Sequence, residues 1–134
     1  MAKLAFINVP STKRVEIIDI TQAVARAIAD SGLREGICVL QSLHTTAGLT
    51  INESADPDVR RDMEKQLALI APKDPSFLHT EGNSDAHIKT SLFGSSLTVI
   101  VNGAKPLLGT WQAIYFCEFD GPRERIVAVK CMEG

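Results

Sequence analysis

The order of predicted elements in this 134-residue sequence indicates an α+β fold with a mainly antiparallel sheet, in a single domain over residues 1–134. Three observations predict it. About six stretches have strand-like composition, about three have apolar residues at helical spacing, and the two kinds occur in clusters without strict alternation. A chain of this length also buries roughly two-thirds of its unfolded surface, which suits one compact domain.

The first elements are two strands and a helix. Residues 3–8 predict a short strand, and the β-branched residues 14–20 predict a second strand that we expect to form a hairpin with the first. A helix over 22–31 follows, because its apolar residues recur at helical spacing. Thr21 is expected to cap this helix, and Gly32 to end it.

The middle of the chain predicts a buried strand and a longer helix. Residues 36–43 are apolar on both faces, which is typical of a central strand, and this strand delivers His44 at its end. Asp56 followed by Pro57 predicts a capped helix start, and the helix is expected to run to about Ile70.

The last third predicts one short helix and three strands. The helix begins after Asn83 or Ser84 and ends at Phe93. The turn Asp120-Gly121-Pro122 predicts that the last two strands form a hairpin. The three predicted strands are 97–101, 110–119 and 125–132.

The composition excludes several classes of function. With 14 Lys and Arg against 16 Asp and Glu, the chain has no basic field to attract nucleic acid or an anionic membrane. No apolar run approaches the roughly 20 residues of a membrane span, and strand-like sequence follows Met1 too soon for a signal peptide. Cys38, Cys117 and Cys131 lie in apolar runs without C-x-x-C spacing, which favours reduced thiols and a cytoplasmic location.

The stretch Leu43–Glu53 is the first candidate for a functional site. It interrupts apolar sequence, contains no Lys or Arg, and carries an imidazole, three threonine hydroxyls, an amide and a carboxylate. Polar groups at the edge of a core need partners or a ligand. The residues alone therefore predict a site here without naming its ligand.

The three histidines, His44, His79 and His87, all fall in the polar middle of the chain. Two functional interpretations fit them: a three-imidazole metal site with an open position, or separate acid and base roles. Their spacing is not a standard zinc signature. A structural role, as hydrogen-bonded core or surface histidines, fits each one equally well.

Candidate carboxylates accompany these histidines. Glu53 closes the first stretch, Asp62 lies at the margin of a helical stripe, and Asp85 precedes His87 by two positions. For Asp62 and Asp85 the alternative is a solvated helix charge, which for Asp85 would also favour the helix dipole. On a helix, Asn83, His87 and Ser91 would form one polar ridge, because they recur every four residues.

The strand 110–119 contains a second cluster of polar groups. A glutamate at position 118 inside such an apolar strand needs a partner. A salt bridge from Glu118 to Arg123 or Arg125 across the tight turn satisfies it, whereas anion binding by either arginine is the functional alternative.

Together these segments resemble the YjbQ family of small proteins, also named secondary thiamine-phosphate synthases. The similarity extends from about Phe6 to the end of the chain. The motifs that carry it are His44–Gly48 with Ile51–Glu53; Asn83–His87 preceded by His79; Gly109–Gln112 with Glu118; and the turn Asp120–Arg123 followed by Arg125.

The resemblance implies a compact homotrimer that binds a phosphorylated small molecule. The implied activity condenses hydroxymethylpyrimidine diphosphate with thiazole phosphate, as a secondary transferase reaction in thiamine biosynthesis. A divalent ion, Mg²⁺ or Zn²⁺, is an expected cofactor, with His44, His79 and His87 as metal ligands. The implied catalytic residues are His44, His87, Glu53 and Asp62. The implied substrate-binding residues are Thr45, Asn52, Asn83, Trp111, Gln112, Arg123 and Arg125.

Three interpretations of the function remain open. The chain can be such a transferase, or it can be a metal- or anion-binding module whose synthase activity is incidental. Metal-assisted hydrolysis of a phosphate or amide also fits three histidines.

Overall fold

The computed structural model describes residues 3–134 and arranges them in three helices and two antiparallel sheets. The helices are α1 (Thr21–Ser31), α2 (Pro57–Ile70) and α3 (Ser84–Phe93). The strands are β1 (Leu4–Pro10), β2 (Glu16–Asp19), β3 (Gly36–Ser42), β4 (Ala47–Glu53), β5 (Ser96–Asn102), β6 (Lys105–Pro106), β7 (Gln112–Glu118) and β8 (Glu124–Glu133). The predicted α+β class is confirmed. Within the described residues, no helix is both long and apolar enough to cross a bilayer.

The larger sheet has the strand order β1-β8-β3-β5-β6, and the smaller has the order β2-β7-β4. β3 lies in the middle of the larger sheet, between β8 and β5, so its predicted central position is confirmed. The prediction that both of its faces are buried is wrong, because only the inner face is. Along β3, Cys38 and Leu40 are buried on the inner face, while Gln41 between Leu40 and Ser42 is exposed on the outer face.

The core has two parts, one on each face of the smaller sheet. The main part lies between the two sheets and α1, where Leu40 and Val129 pack with Leu49 and Phe116. The second part lies on the opposite face of the smaller sheet, which α2 and α3 cover. The smaller sheet is therefore buried on both faces, which explains the nearly continuous apolar sequence of β7.

Both predicted hairpins are wrong. β1 pairs with β8, and β2 pairs with β7, so the first two strands belong to different sheets. The turn Asp120-Gly121-Pro122 likewise carries the chain from β7 in one sheet to β8 in the other. A turn signal marks where the chain reverses, but it does not specify which strand supplies the hydrogen bonds. Here Gly121 donates to the carbonyl oxygen of Arg14 instead.

The helix ends match the prediction except at the caps of α1 and α3. Asp56 accepts from the Asp58 N–H at 2.9 Å, and Gly32 ends α1 with a φ of 76°, both as predicted. Thr21 does not cap α1; it is the first helical residue, and its hydroxyl accepts from the Ile114 N–H at 2.9 Å. Asn83 occupies the N-cap position of α3, but its side chain makes no capping bond.

Candidate functional site

The structure brings the three histidines to one hollow. His44 follows β3, His79 lies in the irregular segment before α3, and His87 lies on α3 itself. All three line a hollow of about 350 Å³, which we call the histidine hollow. The His79 and His87 rings meet edge to face, with centroids 5.4 Å apart and planes at 84°.

A close backbone contact places α3 beside His44. A Cβ on Gly48 would lie 2.8 Å from the carbonyl oxygen of Gly94, so only glycine fits between β4 and the end of α3. The N–H of Leu49 donates to that same carbonyl at 3.1 Å. The loop before β4 is held by Ser42, whose hydroxyl donates to the Ala47 carbonyl at 2.9 Å. His87 therefore faces the loop that carries His44.

One hydrogen bond selects the tautomer of His44. Its Nε2 accepts from the Ile126 N–H at 2.8 Å, so in the neutral ring the proton is on Nδ1. Burial lowers the pKa of His44, and the nearby positive charges of Arg125 and Arg123 lower it further, against an opposing effect of Glu118. His44 is accordingly a neutral hydrogen-bond donor through Nδ1 near pH 7.

The two arginines of the histidine hollow differ in their freedom. Arg125 is 2% exposed and is held by Glu118 Oε1 at 2.8 Å, by Glu118 Oε2, and by the Thr46 hydroxyl at 2.8 Å. The predicted salt bridge is therefore confirmed, with Arg125 as the partner. Arg123 pairs with Asp120 at 3.1 Å, and its side chain is 52% exposed. Arg123 is thus the guanidinium that a ligand can reach.

The charge of Glu118 is stabilised despite its complete burial. Burial by itself raises the pKa of this carboxyl, but hydrogen bonds from Arg125, Ser11 and the Asp120 N–H outweigh it. The pKa of Glu118 consequently lies below its ordinary value, and the pair is ionised at neutral pH.

Asn83 contributes an acceptor with an assigned orientation. Its Nδ2 donates to Asp120 Oδ2 at 2.7 Å, and because a carboxylate only accepts, the amide cannot be reversed. Asn83 Oδ1 is buried and has no hydrogen-bond partner among the described residues. An orphaned acceptor beside a hollow is consistent with a site that completes its hydrogen bonds when a ligand or water enters.

Asp85 is a structural residue, which corrects the interpretation of a solvated helix charge. It is 2% exposed and is bound by Arg14 at 3.1 and 3.2 Å and by Lys89 at 3.4 Å. Burial raises its pKa, but these two cations outweigh burial and hold the pKa below its ordinary value. Sequence reasoning missed Arg14, and the only available signal was the demand of a buried carboxylate for a cation.

The remaining predicted site residues gather elsewhere, at the other end of β4. Asn52 and Glu53 end this strand, and six residue steps from Ala47 span about 20 Å in an extended strand. Glu53 lies opposite Gln112, and the Ser54 N–H donates to the Trp111 carbonyl at 2.8 Å. We call the group of Asn52, Glu53, Trp111 and Gln112, together with Asp62 on α2 beside the Met63 that contacts Asn52, the tryptophan end.

The tryptophan end is exposed to solvent. Trp111 is 63% exposed, and Asp62 is also exposed. Asn52 contacts α2 through the Met63 sulfur at 3.8 Å, and Tyr115 donates to the Glu53 carbonyl at 2.8 Å. Within one chain, Glu53 and Asp62 are therefore not brought to the histidines with which they were predicted to act.

The donor groups of a single chain do not fit the expected metal site. Over residues 3–134, no three His, Cys, Asp or Glu side chains are arranged to hold one ion. The lone pair of His44 Nε2 is also occupied by the Ile126 N–H. The metal ion therefore stays a prediction from the sequence.

Comparison with known proteins completes the description of the site. Residues 5–134 match the family described as UPF0047 protein YjbQ-like. The chain belongs to the YjbQ family. A UPF0047 protein of Methanocaldococcus jannaschii is 53% identical over 92% of this chain and 89% of its own. The UPF0047 protein YugU of Bacillus subtilis is 46% identical over 96% of this chain and 98% of its own.

Solved structures of similar proteins share the fold over nearly the whole chain. A YjbQ-family protein from Clostridium acetobutylicum is 49% identical and superposes with a TM-score of 0.92, covering 96% of this chain and 99% of that one. A YbjQ-like protein of unknown function from Sulfolobus solfataricus is 28% identical with a TM-score of 0.94, covering 100% and 99%. The names of these four proteins state no substrate.

Proposed function

We propose that this YjbQ protein is a thiamine-phosphate synthase-like transferase whose histidine hollow binds the phosphate groups of its substrate. The observation that carries the proposal is the convergence of three imidazoles and the accessible guanidinium of Arg123 on one hollow. Glu81 also lines this hollow, but its side chain is 68% exposed and reaches water. The exposed guanidinium of Arg123 therefore brings positive charge and N–H donors to this hollow, and phosphate oxygens favour both.

The proposed reaction joins hydroxymethylpyrimidine diphosphate to thiazole phosphate. The bond between the pyrimidine methylene carbon and the diphosphate oxygen breaks, and its electron pair leaves with the diphosphate. The lone pair of the thiazole nitrogen then forms the new carbon–nitrogen bond, which yields thiamine phosphate. No proton moves at the reacting carbon, so the site must stabilise the departing anion and exclude water.

The residues of the histidine hollow suit that task. The Nδ1–H of His44, the hydroxyl of Thr45 and the guanidinium of Arg123 are donors for the diphosphate oxygens. The neutral state of His44 suits it for donation at neutral pH without a change of charge.

We also propose that the protein acts as a cytoplasmic homotrimer. The outer face of the larger sheet exposes large apolar side chains, including Leu4 (60% exposed), Phe6 (58%) and Ile100 (57%). Such an apolar sheet face is typical of a surface that self-association covers. For Glu53 or Asp62 to act in the same reaction, the tryptophan end of one chain would have to approach the histidine hollow of another.

Synthase turnover tests the proposal. The variant His44→Gln keeps an acceptor for the Ile126 N–H through Oε1, and its amide N–H donors do not occupy the position of the imidazole Nδ1–H. We expect it to lower kcat/KM by about 100- to 1,000-fold, the typical effect of losing one well-placed donor to a developing anion. Arg123→Ala should lower it as well, whereas Arg61→Ala, an exposed arginine on α2, should not.

Unchanged turnover in a folded His44→Gln protein would remove the histidine hollow from catalysis. A second candidate function, an anion-binding module without synthase activity, is favoured by the separation of Glu53 from the histidines. That function predicts that diphosphate raises the Tm of the wild-type protein although the protein shows no synthase turnover. The rise in Tm should be lost in Arg123→Ala.

A further inference from the structure

A second hollow adjoins the histidine hollow. It has a volume of about 680 Å³ and shares His44, Thr45 and His87 with its neighbour. We call it the hydroxyl hollow, because five of its lining side chains are alcohols: Ser42, Thr45, Thr90, Ser91 and Ser95. His44 and His87 thus form a common wall between two spaces.

The two hollows differ in charge. Arg123 and Arg125 line the histidine hollow, whereas none of the described residues that line the hydroxyl hollow is Lys, Arg, Asp or Glu. A phosphate group would find a counter-charge in the first space and none in the second. The hydroxyl hollow is therefore suited to an uncharged group.

The hydroxyls of α3 are oriented as acceptors. Thr90 donates its proton to the Ala86 carbonyl at 2.9 Å, and Ser91 donates its proton to the His87 carbonyl at 3.0 Å. Each hydroxyl has a single proton, so the oxygens retain only lone pairs for a ligand. Ser42 donates to the Ala47 carbonyl and already accepts from the His44 N–H at 3.3 Å, so it offers less to a ligand. The α3 side of the hollow therefore pairs with N–H donors.

We propose that the hydroxyl hollow binds the uncharged, amino-substituted nitrogen heterocycle of the substrate, while the attached diphosphate occupies the histidine hollow. The reacting carbon, which links ring and phosphate, then lies at the wall formed by His44 and His87. This assignment rests on the proposed function and adds which space takes which part of the molecule. Residues of α3 then select the ring, and the loop that carries Arg123 binds the phosphate groups.

Two probes test the assignment on this protein, one that lacks phosphate and one that lacks the ring. The probes are hydroxymethylpyrimidine, the alcohol without phosphate, and inorganic diphosphate, each titrated separately by calorimetry. Ser91→Phe fills the hydroxyl hollow from an exposed helix position whose hydroxyl bonds only back to its own helix, so the fold should tolerate it. Ser91→Ala leaves the space open, and Leu92→Phe places the same phenyl ring at the next exposed position, outside either hollow.

We expect Ser91→Phe to weaken pyrimidine binding by about tenfold or more and to leave the Kd for diphosphate within about twofold. Arg123→Ala should do the reverse, and Leu92→Phe should change pyrimidine binding by less than about threefold. Ser91→Ala removes one acceptor but leaves the space open, so it should weaken pyrimidine binding by less than Ser91→Phe does. An unchanged pyrimidine Kd in Ser91→Phe, competition between the two probes, or no pyrimidine binding to wild-type protein would each overturn the assignment.

The subsite and the proposed function can fail separately. Expected probe binding without synthase turnover would leave the assignment intact and remove the transferase. Normal turnover in Ser91→Phe would retain the transferase and overturn the assignment.

Discussion

The two ends of β4 carry neighbouring parts of one sequence motif but differ in almost every physical respect. The Ala47 end adjoins the histidine hollow, where Arg125 and Glu118 are buried and paired. The Glu53 end belongs to the tryptophan end, where Trp111 is exposed. Polar residues that are adjacent in an extended strand are therefore not adjacent in a site, because each step separates them by about 3.3 Å.

The two ends should also differ in how much stability a substitution removes. At the histidine hollow, buried ions depend on particular partners, so removing one partner leaves an uncompensated charge. At the tryptophan end, water can replace a lost partner. Substitutions with similar chemistry should consequently have unequal effects at the two ends.

The largest effect is expected for Arg125→Met. This change leaves the fully buried Glu118 without its guanidinium and should lower the free energy of unfolding by about 3–5 kcal/mol. Urea denaturation measures it. Asp62→Ala at the tryptophan end should change the same quantity by less than about 0.5 kcal/mol. Similar losses in both variants would erase the contrast between the two ends.

A smaller effect is expected for Gly48→Ala. Its new Cβ would meet the Gly94 backbone oxygen at 2.8 Å, so β4 and α3 must separate, at a cost of about 1–3 kcal/mol. The matched change Gly109→Ala, near Trp111, meets only the flexible end of Gln112 at 3.3 Å and should cost less than about 1 kcal/mol. Thermal denaturation of both variants compares them, and equal Tm values would show that the strand–helix contact is not tight.

The smallest effect concerns the pH dependence of stability through His44. Its pKa in the folded protein lies below the ordinary value of 6.5, so the unfolded chain binds the proton more readily. Stability should therefore fall as the pH decreases below about 6.5, and His44→Gln should lack this component. Denaturant unfolding of both proteins between pH 7.5 and about 5.5 measures the difference. Parallel profiles would show that His44 is not shifted.

Acid unfolding should continue below that range. In the folded protein the pKa values of Glu118 and Asp85 lie below their ordinary values of 4.5 and 3.8. Their contributions to stability are therefore complete above the ordinary values and are lost as the pH falls through the lower pKa values of the folded state. This loss accompanies protonation of the buried pairs and should make the acid transition of the wild-type protein steep.

Local features of the fold could be predicted from the sequence, whereas strand partners could not. The end of α1 at Gly32 and the cap of α2 at Asp56 follow from local chemistry. The pairing of β1 with β8 joins opposite ends of the chain, and periodicity contains no information about which strand is the partner.

Contacts of the site between residues close in sequence could also be predicted, whereas contacts between distant residues could not. The Glu118–Arg125 pair could be anticipated because a turn holds its members seven positions apart. The Arg14–Asp85 pair could not, since its members are 71 positions apart and only the folded chain joins them. The division between histidines and Glu53 was missed because an unbroken motif suggests one site, and strand geometry separates its ends.

The central claim is that phosphate oxygens bind in the histidine hollow and not at the tryptophan end. Titration of isotope-labelled protein with inorganic diphosphate, followed by amide chemical shifts, tests it most directly. We expect the perturbed amides to cluster at His44, Thr45, His87 and Arg123, which line that hollow. Perturbations confined to Glu53, Trp111 and Gln112, with the amides of His44, His87 and Arg123 unchanged, would contradict the account.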